Sequence, residues 1–260
     1  MESGFLAIDC GNTRLKTTLF TGGSPAEVCA FGSADVEGLL TYMELNGVEG
    51  AAMVSVGRTD VRLVETVRQG VADNFLLLTH NTPLPISIGY ETPDTLGLDR
   101  VAAAAGARCV CRQCDCVIAD AGTALTVDYL TAGGVYRGGT ISPGVRMQLS
   151  ALHEGTHLLP HITVAECGEY YREMGYDLRR NRCARNTRSA IIEGVVGGVI
   201  DRLRCSVSAG EKLLVTGGDG ELLCKLLNGC DGLSSGAVIS APHLIAVGLK
   251  YIFDEYEKVI

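Results

Sequence analysis

Residues 5–20 of this chain read FLAIDCGNTRLKTTLF, and this stretch decides the fold. A short apolar strand ends on Asp9, a turn of Cys, Gly, Asn and Thr follows, and a β-rich run then resumes. The same order recurs at residues 117–130, VIADAGTALTVDYL, where Asp120 ends the strand and a Gly-Thr turn follows. One such hairpin is a common element, but two copies in one chain indicate a duplicated unit.

A strand that ends on a carboxylate and turns through glycine presents several backbone N–H groups beside an acid. The N–H groups can bind phosphate oxygens, and the acid can hold a hydrated Mg²⁺ that bridges to them. Alternatively, Asp9 and Asp120 are turn-forming residues whose side chains bond to their own backbone. The chain has neither a Walker A sequence nor a Rossmann glycine motif. Because the hairpin occurs twice, we favour a nucleoside triphosphate held from both sides by the two copies.

The segments around each hairpin also agree with a duplication. The first half predicts a strand at 51–56, a helix at 60–69, a strand at 75–79 and an alanine-rich helix at 98–108. The second half predicts strands at 135–141 and 213–216, a helix at 221–227, a strand at 237–240 and a closing helix at 243–256. This order predicts an α/β protein of two similar lobes, residues 1–115 and residues 116–260, with a central active-site cleft between them.

The composition excludes several classes of protein. The chain has 260 residues, 20% of them charged, and a net charge of −8, which argues against a nucleic-acid-binding surface. No apolar run reaches the roughly 18–20 residues of a membrane span, and the first residues do not resemble a signal peptide. We therefore expect a cytoplasmic protein with no nucleic-acid partner and no membrane partner. Its 11 cysteines are then expected to be free thiols.

Two groups of metal-binding residue types need an interpretation. Four cysteines lie at residues 109–116, and three histidines lie at residues 153–161 with a spacing of four. Zinc is conceivable at either group, but no second cysteine pair at zinc-knuckle spacing occurs, and Pro160 interrupts the histidines. We interpret the cysteines as buried or incidental thiols and expect no zinc at the histidines.

A series of short motifs runs in order through most of the chain. They are DCGNTRLK at 9–16, GLDR at 97–100, DAGTA at 120–124, GGTISPG at 138–144, Asn186-Thr187 at an expected helix start, and VTGGD at 215–219. Together they resemble the type III pantothenate kinase family, within the acetate and sugar kinase/heat-shock ATPase/actin superfamily. The resemblance implies two ribonuclease H-like (actin-like ATPase) lobes. It also implies ATP-dependent phosphorylation of pantothenate to 4'-phosphopantothenate, the first step of coenzyme A biosynthesis.

The resemblance also implies a set of site residues. ATP would be bound by Asp9, Cys10, Gly11, Asn12, Thr13, Arg14, Leu15, Lys16 and Thr123. The substrate would be bound by Tyr90, Gly97, Leu98, Asp99, Arg100 and Thr187. Asp9 would orient the Mg²⁺ of Mg²⁺–ATP, directly or through water, and Asp120 would hold a monovalent cation, K⁺ or NH₄⁺.

Phosphoryl transfer needs a base within hydrogen-bond reach of the acceptor hydroxyl, and Asp99 is our candidate. Arg100 beside it can pair with an anionic group of the substrate, because guanidinium binds carboxylate and phosphate bidentately. The same stretch also reads as a helix start, with Thr95 or Asp99 as its cap. Thr187 likewise reads as the N-cap of a helix at 188–203.

That second helix contains Gly194, Gly197 and Gly198, which suggest that another backbone packs closely against it. In the family a dimer interface completes the substrate pocket, so we expect a homodimer. Two alternatives stay open. One is a kinase of another small hydroxylated acid or a sugar. The other is a non-catalytic member that binds ligand or assists transcription, although intact Asp9 and Asp99 argue against loss of catalysis.

Overall fold

The computed structural model describes residues 4–11, 14–32, 35–55, 57, 60–72, 74–177 and 183–258. Its strands are β1 (Gly4–Cys10), β2 (Arg14–Thr21), β3 (Ser24–Gly32), β4 (Val48–Ser55), β5 (Phe75–Leu77), β6 (Ser87–Ile88), β7 (Cys116–Ala121), β8 (Ala124–Leu130), β9 (Val135–Pro143), β10 (Lys212–Thr216) and β11 (Val238–Ser240). Its α-helices are α1 (Val36–Leu45), α2 (Val61–Gly70), α3 (Leu98–Val110), α4 (Val145–Glu154), α5 (Val164–Glu173), α6 (Thr187–Ile192), α7 (Gly198–Cys205), α8 (Gly220–Asn228) and α9 (Leu244–Tyr256). A 3₁₀ turn (Pro93–Thr95) precedes α3, and a π-helical turn (Glu193–Gly197) joins α6 to α7. Within the described residues, no helix is both long and apolar enough to cross a membrane.

The strands and helices expected from the sequence are present, with ends that differ by a few residues. Four larger elements were not expected: β3, α1, α4 and α5. Most of β3 is exposed, so it lacks the alternation of apolar and polar residues that marks a half-buried strand. In contrast, α5 begins with a capping box formed by Thr163 and Glu166, and this pattern was readable in the sequence.

The two sheets share one strand order, which confirms the duplication. The first sheet has the order β3-β2-β1-β4-β5, and the matching strands of the second have the order β9-β8-β7-β10-β11. In each sheet the hairpin strands pair antiparallel, and the next two neighbours pair parallel. The predicted α/β class with two similar lobes is therefore confirmed.

The chain forms two compact units that are not continuous in sequence. The first unit contains Met1–Arg112, Gly133–Tyr136 and His243–Ile260, and the second contains Gln113–Ala132 and Arg137–Pro242. A single boundary at residue 115 lies near the first crossing between them. It does not account for α9, which we expected in the second lobe and which belongs to the first unit.

Close contact between two helix backbones explains where α9 lies. A Cβ atom on Gly106 of α3 would lie 2.2 Å from the Leu244 carbonyl oxygen. A Cβ atom on Gly248 of α9 would lie 1.8 Å from the Ala102 carbonyl oxygen. Glycine at both positions lets the α3 and α9 backbones touch, which explains why α9 belongs to the same unit as α3.

The central strand of the first unit is buried on both faces. Leu6 and Ile8 pack into a core with residues of α1 and α2, whereas Phe5 and Ala7 pack into a core with residues of α3 and α9. This period of two is the geometry of a strand covered on both sides. Asp9 therefore lies near the end of a strand that is packed on both faces.

Candidate active site

Asp9 and Lys16 are paired across the first hairpin. They are direct partners in the antiparallel register of β1 and β2, and Asp9 also pairs with Val54 on parallel β4. Asp9 is half-buried and Lys16 is exposed. The hairpin therefore places a carboxyl group and a lysine ammonium group on neighbouring strands at the end of the central strand.

The remaining residues predicted to bind ATP at this hairpin have mixed exposure. Cys10 and Leu15 are buried, so they contribute packing, while Gly11 is exposed. Asn12 and Thr13 lie outside the described residues, as does the side chain of Arg14, whose backbone opens β2.

The charge on Asp9 depends on its surroundings. The pKa of its carboxyl group is raised from 3.8 to about 6, chiefly by burial and also by the nearby negative charge of Asp99, while the positive charge of Lys16 partly offsets the rise. These influences show that the hairpin and the start of α3 lie within electrostatic reach of each other in the first unit. A half-buried carboxylate next to a second acid is a site that favours binding of a cation.

The GLDR segment forms the start of α3. Gly97 is the N-cap and supplies no side-chain bond, so the expected capping by Thr95 or Asp99 is wrong. The Thr95 hydroxyl instead donates to the Thr92 carbonyl oxygen at 2.9 Å. Leu98 is the first helical residue.

The Asp99 carboxylate is held at the very start of the helix. Its Oδ1 atom accepts a hydrogen bond from the Arg100 backbone N–H at 2.8 Å, and a Cβ atom on Gly97 would lie 2.5 Å from that oxygen. Glycine at 97 therefore leaves room for the acid. The carboxylate lies in the first turn, where the helix dipole favours a negative charge.

Tyr90 and Arg100 meet at a residue that the sequence analysis did not single out. The Arg100 guanidinium carbon lies 6.0 Å from the ring centroid of Tyr136, and the ring of Tyr90 lies 6.1 Å from the same centroid. Tyr136 is fully buried, and Arg100 is only 6% exposed. The cation–π contact holds the buried Arg100 guanidinium against the Tyr136 ring, which Tyr90 also contacts. In sequence, Tyr136 is only one apolar position of a strand, so no local signal identifies it.

In the second unit, Asp120 lies near the end of β7, next to the end of β10. Asp120 pairs with Thr216 on β10, and Gly217 follows with a φ of +88°. A Cβ atom on Gly217 would lie 2.5 Å from Asp120 Oδ1 and 2.5 Å from the Ala121 carbonyl carbon. Only glycine combines this backbone conformation with so close an approach, so the VTGGD strand end is built around Asp120.

The GGTISPG segment ends against the same hairpin. The Gly144 backbone N–H donates to the Thr123 carbonyl oxygen at 3.0 Å, and a Cβ atom on Gly144 would lie 2.3 Å from the Gly122 carbonyl oxygen. Thr123 itself is exposed, so its hydroxyl is accessible to a ligand.

Asp219 begins α8 beside this hairpin. Its backbone N–H donates to the Ala121 carbonyl oxygen at 3.0 Å, and its side chain makes no capping bond. Burial raises the pKa of the Asp219 carboxyl, and the positive charge of Arg146 partly offsets that rise.

Thr187 is the first residue of α6, and its expected role as the N-cap is wrong. Asn186 is the cap, because its backbone is extended and its Oδ1 atom accepts from the Ser189 backbone N–H at 2.9 Å. Thr187 is exposed and, together with Met147 and Ile191, lines a cavity of about 690 Å³ in the second unit. The threonine side chain is thus available to a ligand.

The structure groups the predicted residues within each unit. In the first unit it brings Lys16 and Asp99 within electrostatic reach of Asp9, and it places Tyr90 and Arg100 each against Tyr136. In the second unit the hairpin that carries Asp120 and Thr123 is bordered by the starts of α4 and α8, while Thr187 stands on a separate helix.

The cysteines and histidines do not enter this arrangement. All 11 cysteines are free thiols, and in the second unit the Sγ atoms of Cys114 and Cys116 lie 3.9 Å apart. The ring centroids of His153 and His161 lie 5.3 Å apart, and His153 Nδ1 forms a hydrogen bond with the Leu159 carbonyl oxygen. Among the described residues, the three histidines form no group of metal ligands.

Solved structures with a similar fold cover nearly the whole chain. A Campylobacter jejuni protein described as a Baf family transcriptional activator has a TM-score of 0.62 and 21% identity, and the match covers 97% of this chain and 99% of that one. A ROK hexokinase from Thermus thermophilus has a TM-score of 0.52 and 11% identity, with coverage of 99% and 100%. At such low identity these matches establish only the fold, which is that of the actin-like ATPases and sugar kinases.

Sequence comparisons identify the family. The family model described as type III pantothenate kinase matches residues 5–208. A type III pantothenate kinase of Azobacteroides pseudotrichonymphae is 32% identical over 259 residues, which are 98% of each chain. One from Porphyromonas gingivalis strain W83 is 30% identical over 255 residues, covering 96% of this chain and 97% of the relative. This chain therefore belongs to the type III pantothenate kinase family.

Proposed function

We propose that this chain transfers a phosphoryl group from ATP to pantothenate, which gives 4'-phosphopantothenate in the first step of coenzyme A biosynthesis. The observation that carries this proposal is the grouping of Asp9, Lys16 and Asp99 within the first unit. The negative charge of the candidate base thus acts on the acid of the family's phosphate-binding hairpin. The reaction consumes ATP, so we place the enzyme in the cytoplasm.

The residues divide the work of phosphoryl transfer between them. Gly11 and Lys16 bind phosphate oxygens, and Asp9 holds Mg²⁺ directly or through water. The magnesium ion, when bound, neutralises charge on the phosphates. The carboxylate of Asp9 fits this cation, because it lies half-buried near a second acid and has a raised pKa.

The acceptor hydroxyl loses its proton to Asp99 as its oxygen bonds to the γ-phosphorus of ATP, and the bond from that phosphorus to the β,γ-bridging oxygen breaks to release ADP. Asp99 is fixed at the start of α3 by the Arg100 N–H and by the space that Gly97 leaves. Arg100 and Tyr90 orient the substrate, the guanidinium through its charge. Thr187 supplies a further hydroxyl to the substrate.

We also propose that Asp120 holds K⁺ or NH₄⁺. Asp120 repeats the position of Asp9 in the second hairpin, and one nucleotide needs only one magnesium-orienting acid of this kind. The Gly217 backbone approaches this carboxylate closely, because a Cβ atom on Gly217 would lie 2.5 Å from Asp120 Oδ1. A carboxylate combined with carbonyl oxygens suits a large, weakly hydrated cation better than Mg²⁺, which requires near-octahedral geometry.

A homodimer is the assembly that we propose. Apart from the adjacent residues and the backbone of the same helix, no atom of the described residues lies within 4 Å of a Cβ built on Gly194 or Gly198, so a second copy can approach these positions. Exposed apolar side chains occur in the same unit, including Met147 at 45% and Leu158 at 92%. Light scattering should give twice the monomer mass, and Leu158→Asp should shift the protein towards the monomer.

Purified protein tests the main proposal directly. ATP-dependent phosphorylation of pantothenate should far exceed that of a panel of sugars and short hydroxy acids. Turnover of another acceptor instead of pantothenate would identify a different kinase. Binding of ATP without turnover of any acceptor would favour the non-catalytic alternative.

A further inference from the structure

Two cysteines of the second unit, Cys114 and Cys116, are separated by one residue and bring their thiols together. Their Sγ atoms lie 3.9 Å apart. The Cys116 thiol also donates a weak hydrogen bond to the Cys114 carbonyl oxygen, with 3.4 Å between the sulfur and the oxygen. A disulfide bond is about 2.05 Å long, so the two sulfurs need to approach by roughly 2 Å to form one. Rotation about the two Cα–Cβ bonds can cover this distance.

The backbone between the two cysteines is held on both sides. The Asp115 carbonyl oxygen accepts a hydrogen bond from the Lys212 backbone N–H at 3.0 Å. Asp115 Oδ1 accepts another from the Ala132 backbone N–H at 2.7 Å. Cys116 follows as the first residue of β7, which is paired with both β8 and β10. Because this backbone is already ordered, joining the two sulfurs costs little further conformational entropy.

The two thiols differ in their access to solvent. Cys116 is only 2% exposed, whereas Cys114 is partly exposed. A reagent from solution therefore reaches Cys114 more readily than Cys116. An accessible thiol beside a second, protected thiol is the arrangement in which a first oxidation product is resolved into a disulfide. The pair is thus better suited to chemistry than the incidental thiols that the sequence led us to expect.

We propose that Cys114 and Cys116 are a thiol–disulfide modification site, which a small disulfide of the glutathione type oxidises. The Cys114 thiolate attacks one sulfur of the oxidant, whose S–S bond breaks to release one reduced glutathione. The Cys116 thiolate then attacks the Cys114 sulfur, and the bond to the attached glutathione breaks to release the second. Two protein thiols become one disulfide, the oxidant takes up the two electrons, and the two protons end on the released glutathione thiols.

The ring that this disulfide closes spans only the three residues from Cys114 to Cys116. Stabilisation by a disulfide grows with the length of the loop that it closes, so this bond adds little to the stability of the fold. It therefore suits reversible modification better than permanent cross-linking. Transient disulfides of this kind occur in reducing compartments, where permanent ones are rare.

Peptide mapping of the full-length protein tests this site without any measurement of kinase activity. Trypsin releases residues 113–137 as one peptide, whose only cysteines are Cys114 and Cys116. The reduced protein is incubated with oxidised glutathione, its remaining thiols are alkylated, and the peptides are analysed by mass spectrometry. In the wild type, this peptide should lose both alkylatable thiols and the mass of two hydrogen atoms. Reduction with dithiothreitol should restore both thiols.

Two variants separate the roles of the thiols. Cys116→Ser should keep one glutathione on Cys114, because the resolving thiol is gone. Cys114→Ser should leave Cys116 as an unmodified thiol, because Cys116 is buried. Circular dichroism checks that each variant is folded, and the mapping of the wild type decides the matter even where one variant is not.

Cys205→Ser is the matched control. Cys205 is an exposed cysteine of the same unit, and its substitution leaves the pair intact. This variant should form the same disulfide as the wild type. A stable glutathione on Cys114 of the wild type, or a disulfide that joins either residue to Cys111, would overturn the proposal. So would two unmodified thiols in this peptide under conditions that add glutathione to Cys205.

Discussion

Replacing Asp9 with asparagine should stabilise the folded protein in the absence of ligand, although it removes a functional carboxylate. The pKa of Asp9 is about 6 in the folded protein, compared with 3.8 ordinarily. A rise of this size corresponds to about 3 kcal/mol of preference for the neutral form. The asparagine side chain is uncharged, so the variant avoids the cost of holding a half-buried carboxylate beside Asp99.

The sign of the pH dependence follows from the direction of the shift. A carboxyl whose pKa is raised on folding contributes stability below pH 3.8, and this contribution is lost as the pH rises through about 6. The free energy of unfolding of Asp9→Asn should thus exceed that of the wild type by about 2–3 kcal/mol at pH 7.5. The difference should shrink between pH 6 and pH 4.

Urea denaturation of both proteins at pH 7.5, 6.0 and 4.5, without nucleotide or metal, measures the difference. Asp94→Asn, which neutralises an exposed carboxylate of the same unit, should show no comparable gain. Adding Mg²⁺ and a non-hydrolysable ATP analogue should then raise the stability of the wild type and have much less effect on Asp9→Asn. A variant that is less stable than the wild type at pH 7.5, or a difference that does not change with pH, would refute the reasoning.

The remaining predictions concern catalysis, cation use and packing. Asp99→Asn should lower kcat by about 10²–10⁴-fold while circular dichroism shows an intact fold, and a near-wild-type rate would remove Asp99 as the base. Activity should rise when K⁺ or NH₄⁺ replaces Na⁺ at constant ionic strength, and Asp120→Ala should blunt that response; equal rates in Na⁺ and K⁺ would contradict the cation site. Gly248→Ala should lower the free energy of unfolding by about 1–3 kcal/mol or more, because the new Cβ would lie 1.8 Å from the Ala102 carbonyl oxygen. An unchanged urea midpoint would show that α3 and α9 can separate at little cost.

The sequence by itself determined the duplication, and it supplied the residues of the candidate site as predictions. Two hairpins, each with a first strand that ends on an aspartate (Asp9 or Asp120), predict two lobes. The common strand order of the two sheets confirms this prediction. Such patterns are readable because turn chemistry and the alternation of buried side chains depend on residues close together in the chain. The order of the motifs was sufficient to indicate the family.

Only the tertiary structure decided which distant residues meet. The closing helix α9 joins the first unit because Gly106 and Gly248 allow two backbones to touch. Nothing in the sequence near either glycine indicates which helix it contacts. Tyr136 meets Arg100, and the charge of Asp99 reaches Asp9, across long separations along the chain. Burial and electrostatic coupling depend on the packed arrangement of the whole unit, so local sequence patterns cannot supply them.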